Sequence, residues 1–177
     1  ELALRYNDLS PLENMHSAVL FEILLSEGGK CNLLKSLEPS QKTDARKVIV
    51  TSILSTDMVH HFQLVSKAQV YNEKNGDEMR RLCLQRSDTA PTLMNSETRM
   101  FLLELTLHMS DVSNVCKPTA IGSKWCELII EELFQQGDQE RERNMPVSPF
   151  MDRNTMDKAL LQMNFIEFVV TPLVIRK

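Results

Sequence analysis

Leu12, Met15, Val19 and Ile23 recur three and four residues apart, a spacing that lays them on one face of a helix. The run opens with Ser10-Pro11-Leu12-Glu13. A hydroxyl that can cap, a proline at the first helical position and a glutamate three residues after the cap form a capping-box pattern. Gly28-Gly29 marks the expected end. The helical period returns from Pro39 to Val65, with Val48, Ile49, Ile53, Val59 and Phe62 among the apolar positions. It returns again from Ser96, read as a cap, to about Asp111, through Phe101, Leu102, Leu103, Leu105 and Leu107. Further helices are expected from Pro118 to Gly137 and from about Thr155 towards Leu173, with a short one over Glu78 to Leu84. Tyr71 to Gly76 and Gly137 to Met151 read as polar loops, and Ser87 to Pro91 as a linker. No stretch alternates with strand period and no internal repeat is present, so the expected fold class is all-α.

The chain has 177 residues, which suits one domain, 1–177. A chain of this length buries roughly 70% of its unfolded surface. The net charge is −4 and basic residues do not cluster beyond pairs such as Arg80-Arg81, which argues against a nucleic-acid polymer as partner. No apolar run reaches the roughly 18 residues a membrane span needs, and the N-terminus lacks a signal-peptide layout. A cytoplasmic protein is expected. The first residue is Glu1 and patterned sequence begins at once, as in a fragment or a processed chain. The four cysteines, Cys31, Cys83, Cys116 and Cys126, fit no zinc motif and read as reduced thiols.

Asp111 sits near the end of an apolar helical run, where a charge is costly unless something pairs with it. By residue chemistry alone it caps the following turn or binds a cation. The surrounding string, LHMSDVSN (107–114), belongs to an ordered set. YNDLSPLENMH (6–16), ILSTDMVHHF (53–62), FQQGDQERERNMPVSPFMDRNT (134–155) and LQMNFIEFVVTPL (161–173) complete it. Together these strings resemble the C-terminal half of the catalytic domain of class I cyclic-nucleotide phosphodiesterases. The resemblance runs over nearly the whole chain. It implies a helical bundle of that family's type lacking its N-terminal helices, and metal-dependent hydrolysis of 3′,5′-cyclic nucleotides to 5′-monophosphates.

The resemblance also implies roles for single residues. Asp111 stands where the family has a ligand of a pair of divalent metal ions, zinc with magnesium or manganese. Two such metals bind phosphate, generate a hydroxide nucleophile and stabilise charge during in-line displacement. The family's other ligands, two histidines and an aspartate, lie in strings upstream of YND, as does the histidine that protonates the leaving 3′ oxygen. His16, His60, His61 and His108 stand in none of those strings; His60-His61 reads as a surface or packing pair. Glu13 matches a glutamate that hydrogen-bonds metal-bound water, beside its capping-box reading. Thr56 matches a threonine near that water network, Asp57 an aspartate beside it, and Met58 a pocket-lining residue that could equally be helix core. Met15 replaces a histidine of the family's ENHH pattern.

Gln162 and Phe165 match the glutamine that reads the purine edge and the phenylalanine that stacks on it. They lie three residues apart and share a helix face. An amide both donates and accepts, so one glutamine can bind a purine through two bonds. Ile129 falls where the opposing half of the clamp sits, Asn114 where some members contact adenine, and Trp125 near the pocket wall. For Ile129, Phe165 and Trp125 the bland reading is helix packing. Gly122 and Asn164 depart from the family pattern, replacing an aromatic and a glycine. Ser148, Pro149 and Phe150 would border the substrate and Gln162. The implied partners are a cyclic nucleotide and the missing N-terminal half, with a homo-oligomer as a further option. The competing expectation is an inactive half-domain serving as an interaction or regulatory module; a different helical metal-phosphohydrolase ranks below it.

Overall fold

The computed structural model describes residues 1–26, 31–85 and 95–174, with side chains for all of these except 82–85. Its helices are α1 (Leu2–Tyr6), α2 (Pro11–Leu25), α3 (Pro39–Leu54), α4 (His61–Gln85), α5 (Ser96–Asp111), α6 (Thr119–Glu142), α7 (Lys158–Asn164) and α8 (Thr171–Val174). Short 3-10 turns cover Met58–His60 and Ser113–Cys116, and a π-helical turn covers Phe165–Val170. The described residues contain no strand. The all-α expectation holds. Within the chain two compact units are distinguished, Glu1–His108 and Met109–Lys177.

In the first unit α2 and α3 run antiparallel. Ser10, before α2, donates its hydroxyl to the Asp57 carboxylate beyond the end of α3, at 2.8 Å. Further along, the Arg46 guanidinium of α3 lies 4.2 Å from the centre of the Phe21 ring of α2. Phe21 and Leu24 are buried there, and burying a side chain of that size stabilises by about 2 kcal/mol. α3 opens with a capping box: the Glu38 carboxylate accepts the Gln41 N–H, and the Glu38 N–H donates to the Gln41 side-chain carbonyl at 3.0 Å. α4 and α5 meet at a buried histidine pair, His61 Nδ1 and His108 Nε2 3.0 Å apart. His61 is therefore a core residue, whereas its neighbour His60 is exposed.

In the second unit Ile130, Phe134 and Gly137 form the buried stripe of α6, and Val112 and Val170 are buried as well. Asn144 to Asp157 then returns along α6. Cys31, Cys116 and Cys126 are free thiols. Among the described residues no single helix is long and apolar enough to cross a membrane.

Several boundaries differ from the sequence expectation. Ser10 is not a side-chain cap and Glu13 closes no capping box: Ser10 adopts a left-handed conformation (φ 40°) and gives its hydroxyl to Asp57. The stretch from Pro39 to Val65 is broken after Leu54, where Asp57 starts a 3-10 turn by accepting the Val59 N–H at 2.9 Å. Tyr71 to Gly76 is helical, inside the continuous α4. Asn95, not Ser96, caps α5, accepting the Thr98 N–H at 2.8 Å. Gly137 does not end its helix, which continues to Glu142. The last helix starts at Lys158 rather than Thr155, because Asp157 accepts the Ala159 and Leu160 N–H groups and fixes the N-terminus there. Gly28-Gly29 and the Ser87 to Pro91 linker lie outside the described residues.

Candidate active site

The first unit carries Glu13, Thr56 and Met58. Because α2 and α3 are antiparallel and tied by the Ser10–Asp57 bond, the first turn of α2 and the turn after α3 share one end of the pair. Glu13 is half-buried on that first turn, in register with buried Ser17 and Phe21. The Thr56 hydroxyl donates to the Ile53 carbonyl at 2.8 Å, which fixes its rotamer and leaves its oxygen lone pairs as acceptors. Met58 is 46% exposed, so helix core is not its role within this chain.

Asp57 organises this end. Burial works to raise its carboxyl, but the Val59 N–H, the Ser10 hydroxyl and the charge of His60 prevail, and it sits below its ordinary value of 3.8. A lowered carboxylate stabilises the fold above the unfolded value, and that stability is lost as pH falls through the folded value. Asp57→Asn in the complete protein is therefore expected to lower Tm at pH 7. The gap to the unmodified protein should narrow below about pH 3.8. Thermal melts from pH 7 to pH 3 check this, and a gap independent of pH would contradict it.

The second unit carries Asp111, Asn114, Trp125, Ile129, Gln162 and Phe165. Asp111 is the last residue of α5 and is exposed. Among the described residues its carboxylate makes no hydrogen bond or ion pair, and the following turn is held by the Ser113 hydroxyl donating to the Ser110 carbonyl at 2.7 Å. The capping role is therefore not what Asp111 does here. A carboxylate at a helix C-terminus also opposes the helix dipole, an unfavourable placement by a few tenths of a kcal/mol up to about 1 kcal/mol.

Asn114 lies in the 3-10 turn that packs on the first turn of α6. At Gly122 a Cβ would stand 3.4 Å from the Asn114 carbonyl oxygen, an ordinary van der Waals contact. Trp125 and Ile129, four residues apart on α6, are 50% and 38% exposed, while adjacent Ile130 is 3% exposed. They form an outward apolar pair and not the helix-packing surface. Segment 144–157 passes from Ser148 against Glu140, through Met151 against Gly137, to Arg153 against Asp138 and Glu131. Lys158 then sets its amine 5.7 Å from the centre of the Phe134 ring. Burial and the charge of Glu127 push the Cys126 thiol up, and Lys158 works against them. Gln162 follows one turn beyond Lys158 on α7. Gln162 and Phe165 are both half-buried, and Phe165 is the first residue of the π-helical turn, an irregularity frequent at functional sites.

Among the described residues no group of three or more His, Cys, Asp or Glu side chains is placed to hold a metal ion. These residues do not make a metal centre by themselves; Asp111 offers one carboxylate. Two clefts of about 280 and 340 Å³ lie in the first unit, lined by residues such as His60, Lys67, Glu104 and Tyr71, and neither involves a candidate named from the sequence. The sequence reading missed Ser10 and Glu140 as organisers and mistook Gly137. The available signal was the run Asp138-Gln139-Glu140-Arg141, all tolerated in helices, directly after that glycine.

Residues 1–176 match the family described as 3′,5′-cyclic nucleotide phosphodiesterase, and the chain belongs to that family. Among its relatives is the human "High affinity cGMP-specific 3',5'-cyclic phosphodiesterase 9A", 36% identical over 98% of this chain and 26% of that protein. Another is the rat "3',5'-cyclic-AMP phosphodiesterase 4C", 35% identical over 98% of this chain and 30% of that protein. The phosphodiesterase domain of the RhoPDE fusion protein of the choanoflagellate Salpingoeca rosetta superposes with a TM-score of 0.82 at 36% identity, over 98% of this chain and 50% of that one. The chain thus spans 26–30% of the length of these two curated relatives and half of that solved domain.

Proposed function

We propose that the protein containing this chain hydrolyses 3′,5′-cyclic nucleotides to 5′-nucleoside monophosphates. The supporting observation is the family match along 1–176; Asp111, Asn114, Ile129, Gln162 and Phe165 belong to the same compact unit. Within this reading Phe165 stacks on the base opposite Ile129, and the Gln162 amide bonds the purine edge. Base stacking on an aromatic ring is worth roughly 1–3 kcal/mol in nucleic-acid systems. Glu13 and Thr56 orient water at the phosphate end. Asp111 is one ligand of a divalent-metal pair, zinc with magnesium or manganese, that polarises the phosphate when bound; its other ligands belong to parts of the protein beyond this chain. Exposed Leu4, Leu9, Val59 and Phe62 favour a further segment covering the first unit.

Gln162 with Asn114 favours cAMP over cGMP. Adenine offers an N6 donor and an N1 acceptor, which one glutamine amide serves at once; guanine presents the reverse pattern and requires the amide to turn over. One mismatched buried hydrogen bond costs about 1–3 kcal/mol, so the expected preference is about ten- to a hundredfold in kcat/KM. The relatives divide between cGMP-specific and cAMP enzymes by name. The test is kcat/KM for both nucleotides in the complete protein and in Asn114→Ala. A cGMP preference in the unmodified protein, or no change on removing Asn114, contradicts the assignment.

A further inference from the structure

We propose that Glu140 is a positioning residue for the nucleotide pocket, acting through Ser148 to fix the path of segment 144–157 into α7 and so the placement of Gln162. The proposal rests on the phosphodiesterase reading above. Both Glu140 carboxylate oxygens are engaged by one residue of the returning segment: Oε2 accepts the Ser148 N–H at 2.7 Å and Oε1 accepts the Ser148 hydroxyl at 2.8 Å. Oε1 also accepts the Gln136 side-chain amide at 2.9 Å, which holds the carboxylate in one rotamer. The Gln136 bond and the two Ser148 bonds hold the carboxyl below its ordinary value.

Other contacts tie the segment to α6, but they are of another kind. Arg141 pairs with Asp152 and Asp138, and Arg153 with Asp138 and Glu131, through side chains 30–44% exposed. Solvent partly screens such pairs, and their long arginine side chains can keep the pairing while the segment shifts. The bond from a backbone N–H to a carboxylate is charge-assisted and directional, so it fixes register along α6 in a way the arginine pairs do not. Register matters because the segment runs from Ser148 to Asp157, the cap of α7, with Gly137 admitting the Met151 backbone between them. A slip at Ser148 is carried into the start of α7, and Gln162 lies one turn further on. The effect belongs in substrate binding, because the purine contact is made in ground state and transition state alike.

The test compares Glu140→Ala, Ser148→Ala and Ser148→Thr with the unmodified complete protein, using cAMP kinetics, thermal melts and hydrogen exchange at the Ser148 amide. Glu140→Ala removes both bonds to Ser148 and is expected to raise KM about tenfold, with kcat within about twofold; Ser148→Ala loses only the hydroxyl bond and keeps the N–H bond, so its KM should rise less, about threefold. Ser148→Thr keeps the hydroxyl and should keep KM. Exchange at the Ser148 amide should accelerate about tenfold or more in Glu140→Ala. An unchanged KM with accelerated exchange overturns the proposal while leaving the phosphodiesterase reading intact. So does a loss of kcat in step with Tm and no rescue by threonine, since that is a purely structural role. Should Glu140→Ala fail to fold, the alanine and threonine pair at Ser148 decides. Absence of cyclic-nucleotide turnover in the unmodified protein overturns both.

Discussion

Replacing Asp111 by alanine in the complete protein is expected to lower kcat/KM for cyclic nucleotide by about a thousandfold or more, because loss of the metal ligand proposed there would take several kcal/mol of charge stabilisation from the transition state. The same substitution should leave Tm unchanged or raise it slightly. Asp111 is exposed, has no partner among the described residues and stands at the C-terminus of α5, where a negative charge opposes the helix dipole. The pairing of a large kinetic effect with no loss of stability separates a ligand from a structural carboxylate. A Tm falling together with activity would place Asp111 in the fold's support, and unchanged activity would remove it from the site.

Gly137→Ala is expected to act first on stability, with any change in activity following from the displaced returning segment. An alanine Cβ there would stand 2.0 Å from the Met151 carbonyl oxygen and 2.7 Å from its carbonyl carbon. Those are backbone atoms, so no rotamer change relieves the overlap and the returning segment must lift off α6. Overpacking of this kind costs about 3 kcal/mol at the upper end of the usual range, offset by about 1 kcal/mol from alanine's better helix propensity. A net cost of about 2 kcal/mol corresponds to a Tm lower by about 4–8 °C. Calorimetry on the complete protein reads it directly, and an unchanged Tm would mean that Met151 does not lie on Gly137.

The sequence was informative where packing and punctuation agree. α2, α5 and α6 carry apolar residues at helical spacing, and the starts of α2 and α6 are marked by Pro11 and Pro118. It misled at glycine. Gly76 and Gly137 read as breakers, yet both are buried inside helices, and at Gly137 the missing side chain makes room for the Met151 backbone instead of a turn. Local spacing cannot distinguish these uses, because the neighbour is supplied by tertiary structure. Ser10 illustrates the same limit: its cap pattern is locally complete, but its hydroxyl serves Asp57, 47 residues away. The π-helical turn at Phe165 has no signature that spacing alone would reveal. The candidate residues were legible chiefly through ordered strings, and the structure adds that Asp111, Asn114, Trp125, Ile129, Gln162 and Phe165 share one compact unit.

The most direct test of the account is product analysis with the purified complete protein, divalent metal and cAMP, followed by phosphorus NMR. The account predicts disappearance of the cyclic phosphodiester and appearance of 5′-AMP alone, with turnover lost in Asp111→Ala. Persistence of the cyclic nucleotide, or release of the 3′-monophosphate, would contradict it.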